Sequence, residues 1–187
     1  MDGARKFQVG TAEAGTEADK MTKVRRKVID SVDWAAVKAR DLRRTCIHEY
    51  AHEVVARHFG APSYVTITAN PHGSIEDKFY SGQCAICAKL ATQQIRLVCL
   101  AGIIAEHIDS DRLADADDLA DWFMGGKLTL SDTDAVGAGA YKLRDVKRCV
   151  SLVKELWPEI ESAVRIAVET EEAIEEAAEA AEMNTAA

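Results

Sequence analysis

One short motif in this 187-residue sequence combines residue types and spacing that suit metal chemistry. It reads His48-Glu49-Tyr50-Ala51-His52, the pattern H-E-x-x-H. Residues four positions apart lie on the same face of a helix, so both imidazoles can bind one ion, and zinc accepts such nitrogen ligands. Glu49 lies on another side of the helix, from which its carboxylate can act as general base on a water activated by the metal. The motif therefore predicts one zinc ion per chain, with His48 and His52 as ligands and Glu49 as the catalytic residue.

A hydrolytic zinc site needs a third protein ligand, with the fourth position left to water. The spacing H-E-x-x-H-x-x-G-x-x-H would place a third histidine at position 58, but residue 55 is valine rather than glycine. A carboxylate from elsewhere in the chain is therefore expected. The candidates are Glu106, Asp132 and Asp134, with Asp117 and Asp118 as weaker ones.

Helical and strand patterns surround the motif. Apolar residues at helical spacing predict a helix from about Leu42 to Phe59, preceded by a short helix at 33–39. Alternating β-branched residues predict a strand at Tyr64–Thr68, and a second strand is predicted at Phe79–Ile86. Further helices are predicted at about 88–108, 113–123, 132–139 and 143 onwards, with an interruption at Pro158. The predicted fold class is α+β and predominantly α-helical, with a small β-sheet and a C-terminal helical bundle around a zincin-like HExxH helix.

Four segments carry a resemblance to a known family. They are the motif helix Cys46–Ala56, the strand and turn Tyr64–Gly73, the run Leu100–Glu106 (LAGIIAE) and the run Ser131–Ala138 (SDTDAVGA). In the same order, they resemble the H-E-A-G-H-A-V-V-A, V-T-I-x-P-R-G, L-A-G-R-A-A-E and S-x-x-D-L-x-x-A segments of FtsH-type ATP-dependent zinc metallopeptidases. The resemblance covers about residues 40–170.

The resemblance implies roles for the three leading carboxylates. It makes Asp134 the third zinc ligand, with Asp132 as the second choice, and it places Glu106 on a helix that flanks the site. The sequence also departs from the family. Tyr50 and Ala51 stand where the family has Ala and Gly, and a phosphate-binding loop G-x-x-x-x-G-K-[ST] is missing. The resemblance therefore implies the peptidase part alone, without the ATPase or the membrane anchor.

The leading functional hypothesis is a zinc-dependent endopeptidase that acts on unfolded or flexible polypeptides, alone or with a separate unfoldase or adaptor. An exposed strand edge at Val65, Thr66 and Ile67 is predicted to hold the substrate in extended form. One alternative is another small HExxH peptidase, of the type that cleaves repressors, with Glu106 as the third ligand. A second alternative is a non-catalytic, peptidase-like adaptor. The sequence leaves the oligomeric state open.

Charge and cysteine content narrow the expected partners and location. The net charge is −8, and residues 159–187 hold nine glutamates against one basic residue, Arg165. This balance argues against nucleic acid as the main partner. No stretch is long and apolar enough to insert in a membrane, and five cysteines without a secretory signal predict a cytoplasmic protein with reduced thiols. The predicted organisation is a loosely ordered segment at 1–30, a peptidase domain at 31–168 and an acidic Glu/Ala-rich helical tail at 169–187.

Overall fold

The computed structural model describes residues 32–74, 78–110, 116–126 and 129–185, without the side chains of Ala120, Met124, Asp132 and Thr185. The chain divides into two compact units, Met1–Ala36 and Val37–Ala187. The predicted segment 1–30 lies outside the described residues. In chain order, the elements are α1 (Trp34–His58), β1 (Ser63–Ala69), β2 (Tyr80–Ile86), α2 (Thr92–Asp109), α3 (Ala116–Met124), α4 (Asp132–Ala138), α5 (Leu143–Glu155) and α6 (Trp157–Thr185).

The predicted fold class is confirmed, since the described chain is mostly helical and has a small antiparallel sheet. The short and long helices predicted before residue 60 are one continuous helix, α1, of 25 residues. The two merge because no glycine or proline lies between Trp34 and His58 to interrupt the backbone hydrogen bonds. Gly60 has a φ of 76°, a conformation that glycine adopts readily, and the chain turns there into β1.

The two strands form an antiparallel hairpin in which Ser63 pairs with Ile86 and Ala69 with Tyr80. The start of β2 is attached to α1 by one carboxylate. Asp41 Oδ2 accepts hydrogen bonds from the backbone N–H of Phe79 at 2.7 Å and of Tyr80 at 3.0 Å. The N–H of Tyr80 bonds to α1 rather than to β1, so this side of β2 faces α1.

The core lies among the helices. Its largest fully buried side chains come mainly from α1, α2, α5 and α6, and include Leu42, Ile47, Leu97, Leu100, Ile104, Val146, Val150 and Ile160. α2 runs antiparallel to α1, because its late residue Glu106 contacts Arg44 while its early residue Val98 contacts His52. α4 packs against α2 and α3 packs against α5. This arrangement brings α1, α2 and α4 together at one place.

The last two helices break at Leu156. Pro158 is the second residue of α6, where its missing N–H costs no intrahelical hydrogen bond, so the predicted interruption and restart are both observed. The acidic segment continues α6 through residue 185. It is not wholly solvated, since the Tyr80 hydroxyl donates a hydrogen bond to Glu175. No helix in the described part of the chain has the length and apolar character needed to cross a membrane.

Candidate metal centre

The two histidines of the motif lie one turn apart on α1 and face α2. His52 is buried and His48 is partly buried, with side chains 7% and 20% exposed. His48 Nδ1 lies 2.6 Å from Glu106 Oε1, and His52 Nδ1 lies 2.6 Å from the carbonyl oxygen of Val98. A carbonyl only accepts hydrogen bonds, so His52 carries its proton on Nδ1 and its Nε2 lone pair is available for a metal.

Asp134 faces the same two rings from α4. Its Oδ2 lies 3.4 Å from His48 Nε2 and its Oδ1 lies 3.5 Å from His52 Nε2. Ligand atoms of these three side chains all lie within 4.8 Å of one another. Tetrahedral zinc with bonds of about 2.0–2.1 Å separates its ligand atoms by about 3.3 Å, so this donor set fits a zinc ion.

Ser131 holds Asp134 in place at the start of α4. The Ser131 hydroxyl donates to Asp134 Oδ2 at 2.7 Å and accepts the backbone N–H of Asp134 at 3.2 Å. Ser131 is therefore both the N-cap of α4 and an anchor for the carboxylate. The S-x-x-D spacing noted in the sequence has this physical role.

Gly102 of α2 provides the space in front of the histidines. A β-carbon at this position would lie 2.6 Å from His52 Nε2 and 2.7 Å from His48 Nε2. Both distances are too short for any non-bonded contact. Only glycine at this position leaves the two Nε2 atoms accessible.

Glu49 lies beside the histidines on α1 and points towards β2. A β-carbon at Gly82 would overlap Glu49 Cγ and lie 3.0 Å from Glu49 Oε1, so the strand backbone passes directly over this side chain. Burial raises the pKa of Glu49, and the charges of His48 and His52 offset part of that rise. The backbone of Cys84 also lies close enough to the Glu49 carboxylate to lower its pKa slightly. A carboxyl group with a raised pKa suits general acid–base chemistry.

The acidic groups around His48 hold it in the protonated form when no metal is bound. Burial lowers the pKa of His48, but hydrogen bonds to Asp134 and Glu106 raise it further than burial lowers it, to about 9. Burial raises the pKa of Asp134, but its contacts with the two histidine rings and with the Ser131 hydroxyl bring it well below its ordinary value. Burial also raises the pKa of Glu106, but hydrogen bonds and charge from His48 and Arg44 lower it by more. Both carboxylates therefore stay charged at neutral pH, and a bound cation would take the place of the proton on His48.

The structure describes two of the three leading carboxylates and places them on different sides of His48. Asp134 meets the histidine Nε2 atoms, whereas Glu106 contacts the opposite nitrogen of His48 and bonds to Arg44 Nε at 2.5 Å. A carboxylate on Nδ1 orients the ring and does not share an ion with Nε2. The side chain of Asp132 lies outside the described residues. Asp117 and Asp118 lie in the first turn of α3, outside the cluster.

The centre opens into a cavity of about 730 Å³. β2 forms one wall, through residues 80–84 and Ile86, and the predicted substrate residues Val65, Thr66 and Ile67 of β1 are not among the lining residues. The substrate edge predicted at β1 stays a prediction, and β2 is the strand that borders this cavity. In the hairpin, β2 lies next to α1 and the cavity, and β1 pairs with the far edge of β2.

The edge of β2 that faces the cavity carries backbone groups which β1 does not use. Cys87 N bonds to Pro62 O and Asn70 N bonds to Phe79 O, so the odd-numbered residues of β2 are those whose backbone groups hydrogen-bond to β1. In an antiparallel ladder the intervening residues point the other way. The N–H and C=O groups of Gly82, Cys84 and Ile86 are therefore directed to the free edge, in line with the N–H of Tyr80, which bonds to Asp41 of α1 rather than to β1.

Two glycines with a role at the site were missed by the sequence analysis. Gly82 interrupts a strand pattern and Gly102 interrupts a buried helix pattern. A glycine inside a regular element often marks a close approach of another group, and this was the signal that could have identified both. The approaching groups are Glu49 and the two histidine rings.

No protein-family model matches the chain, and no curated protein matches it significantly. A function can therefore be inferred only from the residues and geometry of the site.

Proposed function

We propose that this protein is a zinc-dependent endopeptidase that hydrolyses peptide bonds in unfolded or flexible polypeptides. The observation that carries the proposal is the convergence of His48, His52 and Asp134 next to Glu49, in a cavity bordered by a free strand edge. The donor set and the spacing of its atoms support zinc. The neighbouring carboxylate and the strand edge support peptide hydrolysis.

The residues of the chain divide the catalytic work. Bound zinc would supply a Lewis acid that polarises the scissile carbonyl and lowers the pKa of water. Glu49 takes a proton from the attacking water and delivers it to the leaving amine, for which its raised pKa is suited. Glu106 and the carbonyl of Val98 hold the histidine rings in the orientation that presents Nε2.

A peptide can bind by adding a strand to β2. The outward N–H and C=O groups of Gly82 and Ile86, with the C=O of Cys84, match the hydrogen-bonding pattern of an extended chain. Such pairing recognises main-chain atoms and requires the substrate to be unfolded locally. This is why we propose flexible polypeptides rather than folded proteins as substrates.

We also propose a relationship to the peptidase domain of FtsH-type enzymes. Its support is the order of the four matching segments and the role that the segment at Ser131–Ala138 has at the site. The alternative with Glu106 as the third ligand is disfavoured, because Glu106 already bonds to His48 Nδ1 and Arg44.

Metal analysis of purified variants tests the proposed ligands. The wild-type protein is expected to hold about one zinc ion per chain, Asp134→Asn to lose it, and Glu106→Gln to keep it with reduced affinity. Loss of zinc in Glu106→Gln with full retention in Asp134→Asn would refute the proposed ligand set.

Cleavage of unfolded casein tests the proposed activity. The zinc-loaded wild type is expected to cleave casein, and Glu49→Gln to hold the same zinc but cleave at least about 100-fold more slowly. Stoichiometric zinc with no cleavage that depends on Glu49 would favour the non-catalytic adaptor instead.

A further inference from the structure

Contacts with α1 show in which direction β2 and α2 each run along the cavity. Tyr80 at the start of β2 bonds to Asp41 of α1, and Gly82 further along β2 lies over Glu49 of α1. β2 and α1 therefore run the same way past the metal centre. α2 runs the opposite way, with Glu106 level with Arg44 at one end and Val98 level with His52 at the other.

The two ends of this cavity differ in chemistry. At the Tyr80 end, the lining includes the charged residues Asp41, Arg44, Lys78 and Glu106. At the Ile86 end, it includes Val98, Cys99, Val136, Gly137 and Ile86. The metal ligands lie between these groups. The cavity is thus charged on one side of the metal centre and apolar on the other.

The apolar end exposes large side chains to solvent at the cavity. Val136 is 85% exposed and Ile86 is 36% exposed, although both are large and hydrophobic. α4 presents Val136 at this end because Gly137 packs directly on Cys99 of α2. A single exposed apolar residue needs no explanation, but two that line one cavity next to a metal centre form a subsite for an apolar group.

Strand polarity assigns this subsite to one side of the substrate. An extended peptide pairs with β2 more stably in the antiparallel direction. Since β2 runs from the charged end to the apolar end, an antiparallel peptide has its N-terminal part at Ile86 and its C-terminal part at Tyr80. Residues that precede the cleaved bond then lie at the apolar end.

We propose that Val136 and Ile86 select substrates with a large apolar side chain at one of the two residues preceding the cleaved bond. The inference rests on the proposed endopeptidase function and adds its specificity. It predicts cuts after sequences that contain Leu, Ile or Phe, which become accessible only when a protein is unfolded. The same subsite therefore reinforces the selection for flexible polypeptides.

Mapping the fragments of unfolded casein tests the direction of the preference. Mass spectrometry is expected to find large apolar residues enriched at the two positions before the cuts, compared with the two positions after them. Equal frequencies, or enrichment only after the cuts, would overturn the inference while leaving the proposed activity intact.

Polar β-branched variants test the residues. Val136→Thr together with Ile86→Thr keeps the branch at the β-carbon but is expected to lower kcat/KM about 10-fold for a peptide with Leu before the cut, with little effect on the matching Ser peptide. The matched control is Ile166→Thr, since Ile166 is 57% exposed on α6. Unchanged Leu-to-Ser discrimination in the double variant, at unchanged zinc content, would refute the assignment.

A binding measurement separates this inference from the activity. Zinc-loaded Glu49→Gln is expected to bind a fluorescent Leu peptide about 10-fold more tightly than its Ser counterpart, and Val136→Thr with Ile86→Thr in that background to remove the difference. If casein is not cleaved, the proposed function fails, and this anisotropy experiment still decides whether the apolar subsite exists. Equal binding of the two peptides would overturn it.

Discussion

Two glycines control the space around the reactive side chains. Gly102 faces the Nε2 atoms of His48 and His52, and Gly82 faces Glu49. At each position only glycine leaves room for the facing side chain, because a β-carbon would collide with it. The two positions therefore affect different parts of the proposed chemistry: Gly102 affects metal binding, and Gly82 affects the general base.

Gly102→Ala is expected to abolish zinc binding, because the added methyl group would lie within 2.7 Å of both Nε2 atoms. Gly82→Ala is the matched comparison. It is expected to keep the zinc but lower casein cleavage about 100-fold, because its methyl group displaces Glu49.

Zinc content by mass spectrometry and cleavage rates on the same preparations check this pair, with circular dichroism to confirm that both variants are folded. A folded Gly102→Ala protein with full zinc occupancy would contradict the geometry. Zinc loss in Gly82→Ala would contradict the separation of roles.

Zinc affinity is expected to rise with pH. The pKa of His48 in the metal-free chain is raised from 6.5 to about 9, so below pH 9 zinc must displace a proton from this ring. The apparent affinity should therefore increase about tenfold per pH unit towards pH 9 and then level off. Competition with a chelator at several pH values measures this slope.

The stability of the metal-free chain should change in the opposite direction. A group whose pKa is raised on folding stabilises the fold below its unfolded pKa and loses that effect as the pH rises through the folded pKa. The contribution of His48 is thus present below pH 6.5 and lost by about pH 9. Urea unfolding of the chelator-treated protein checks it, with His48→Gln expected to lack this pH dependence.

At the scale of elements, β2 has a single neighbouring strand in its sheet. It pairs with β1 on one edge and leaves the other edge for the cavity. A two-stranded sheet is only marginally stable by itself. Its position therefore depends on Asp41 of α1, which binds the backbone at Phe79 and Tyr80, and on Glu175 of α6, which binds the Tyr80 hydroxyl.

Tyr80→Phe is expected to lower the free energy of unfolding by about 1–2 kcal/mol, because it removes a hydrogen bond between a buried hydroxyl and the Glu175 carboxylate. The control is Tyr64→Phe on β1, where the side chain is 59% exposed and the change should stay within about 0.5 kcal/mol. Urea denaturation of both variants decides. Equal destabilisation would show that the contact with α6 does not hold β2.

At the scale of the whole molecule, the proposed ligands join distant parts of the chain. The histidines belong to α1 and Asp134 belongs to α4, while Glu106 and Val98 of α2 contact the rings and orient them. An ion held by all three side chains binds the folded state alone, since the unfolded chain does not bring α1 and α4 together. Metal binding and folding are therefore coupled.

Zinc at 100 times its dissociation constant is expected to stabilise the fold by about 2.7 kcal/mol. Thermal unfolding with and without chelator measures the effect. Asp134→Asn should show almost no stabilisation by zinc, and an undiminished shift in that variant would indicate that the ion binds elsewhere.

The local patterns of the sequence predicted both strands, the motif residues of the candidate site and the helices, except that α1 was expected as two separate helices. The spacing of His48 and His52 determines that they share a helix face, and their neighbour Glu49 follows from the same periodicity, because helix geometry depends only on nearby residues. The merged helix α1 and the break before Pro158 follow from the positions of glycine and proline. These features need no information about distant contacts.

The features that depend on long-range packing became known only from the tertiary structure. From the residue types alone, Asp134, Asp132 and Glu106 were all possible partners for the histidines. The antiparallel course of α1 and α2 placed Glu106 on His48 Nδ1, and the packing of α4 on α2 brought Asp134 to Nε2. An exposed substrate edge was predicted at Val65, Thr66 and Ile67 of β1, but each strand of a two-stranded hairpin has one edge that its partner does not cover. Which of them lies beside the centre depends on the contact between β2 and Asp41, 38 or more residues away in sequence, and no local pattern encodes such a contact.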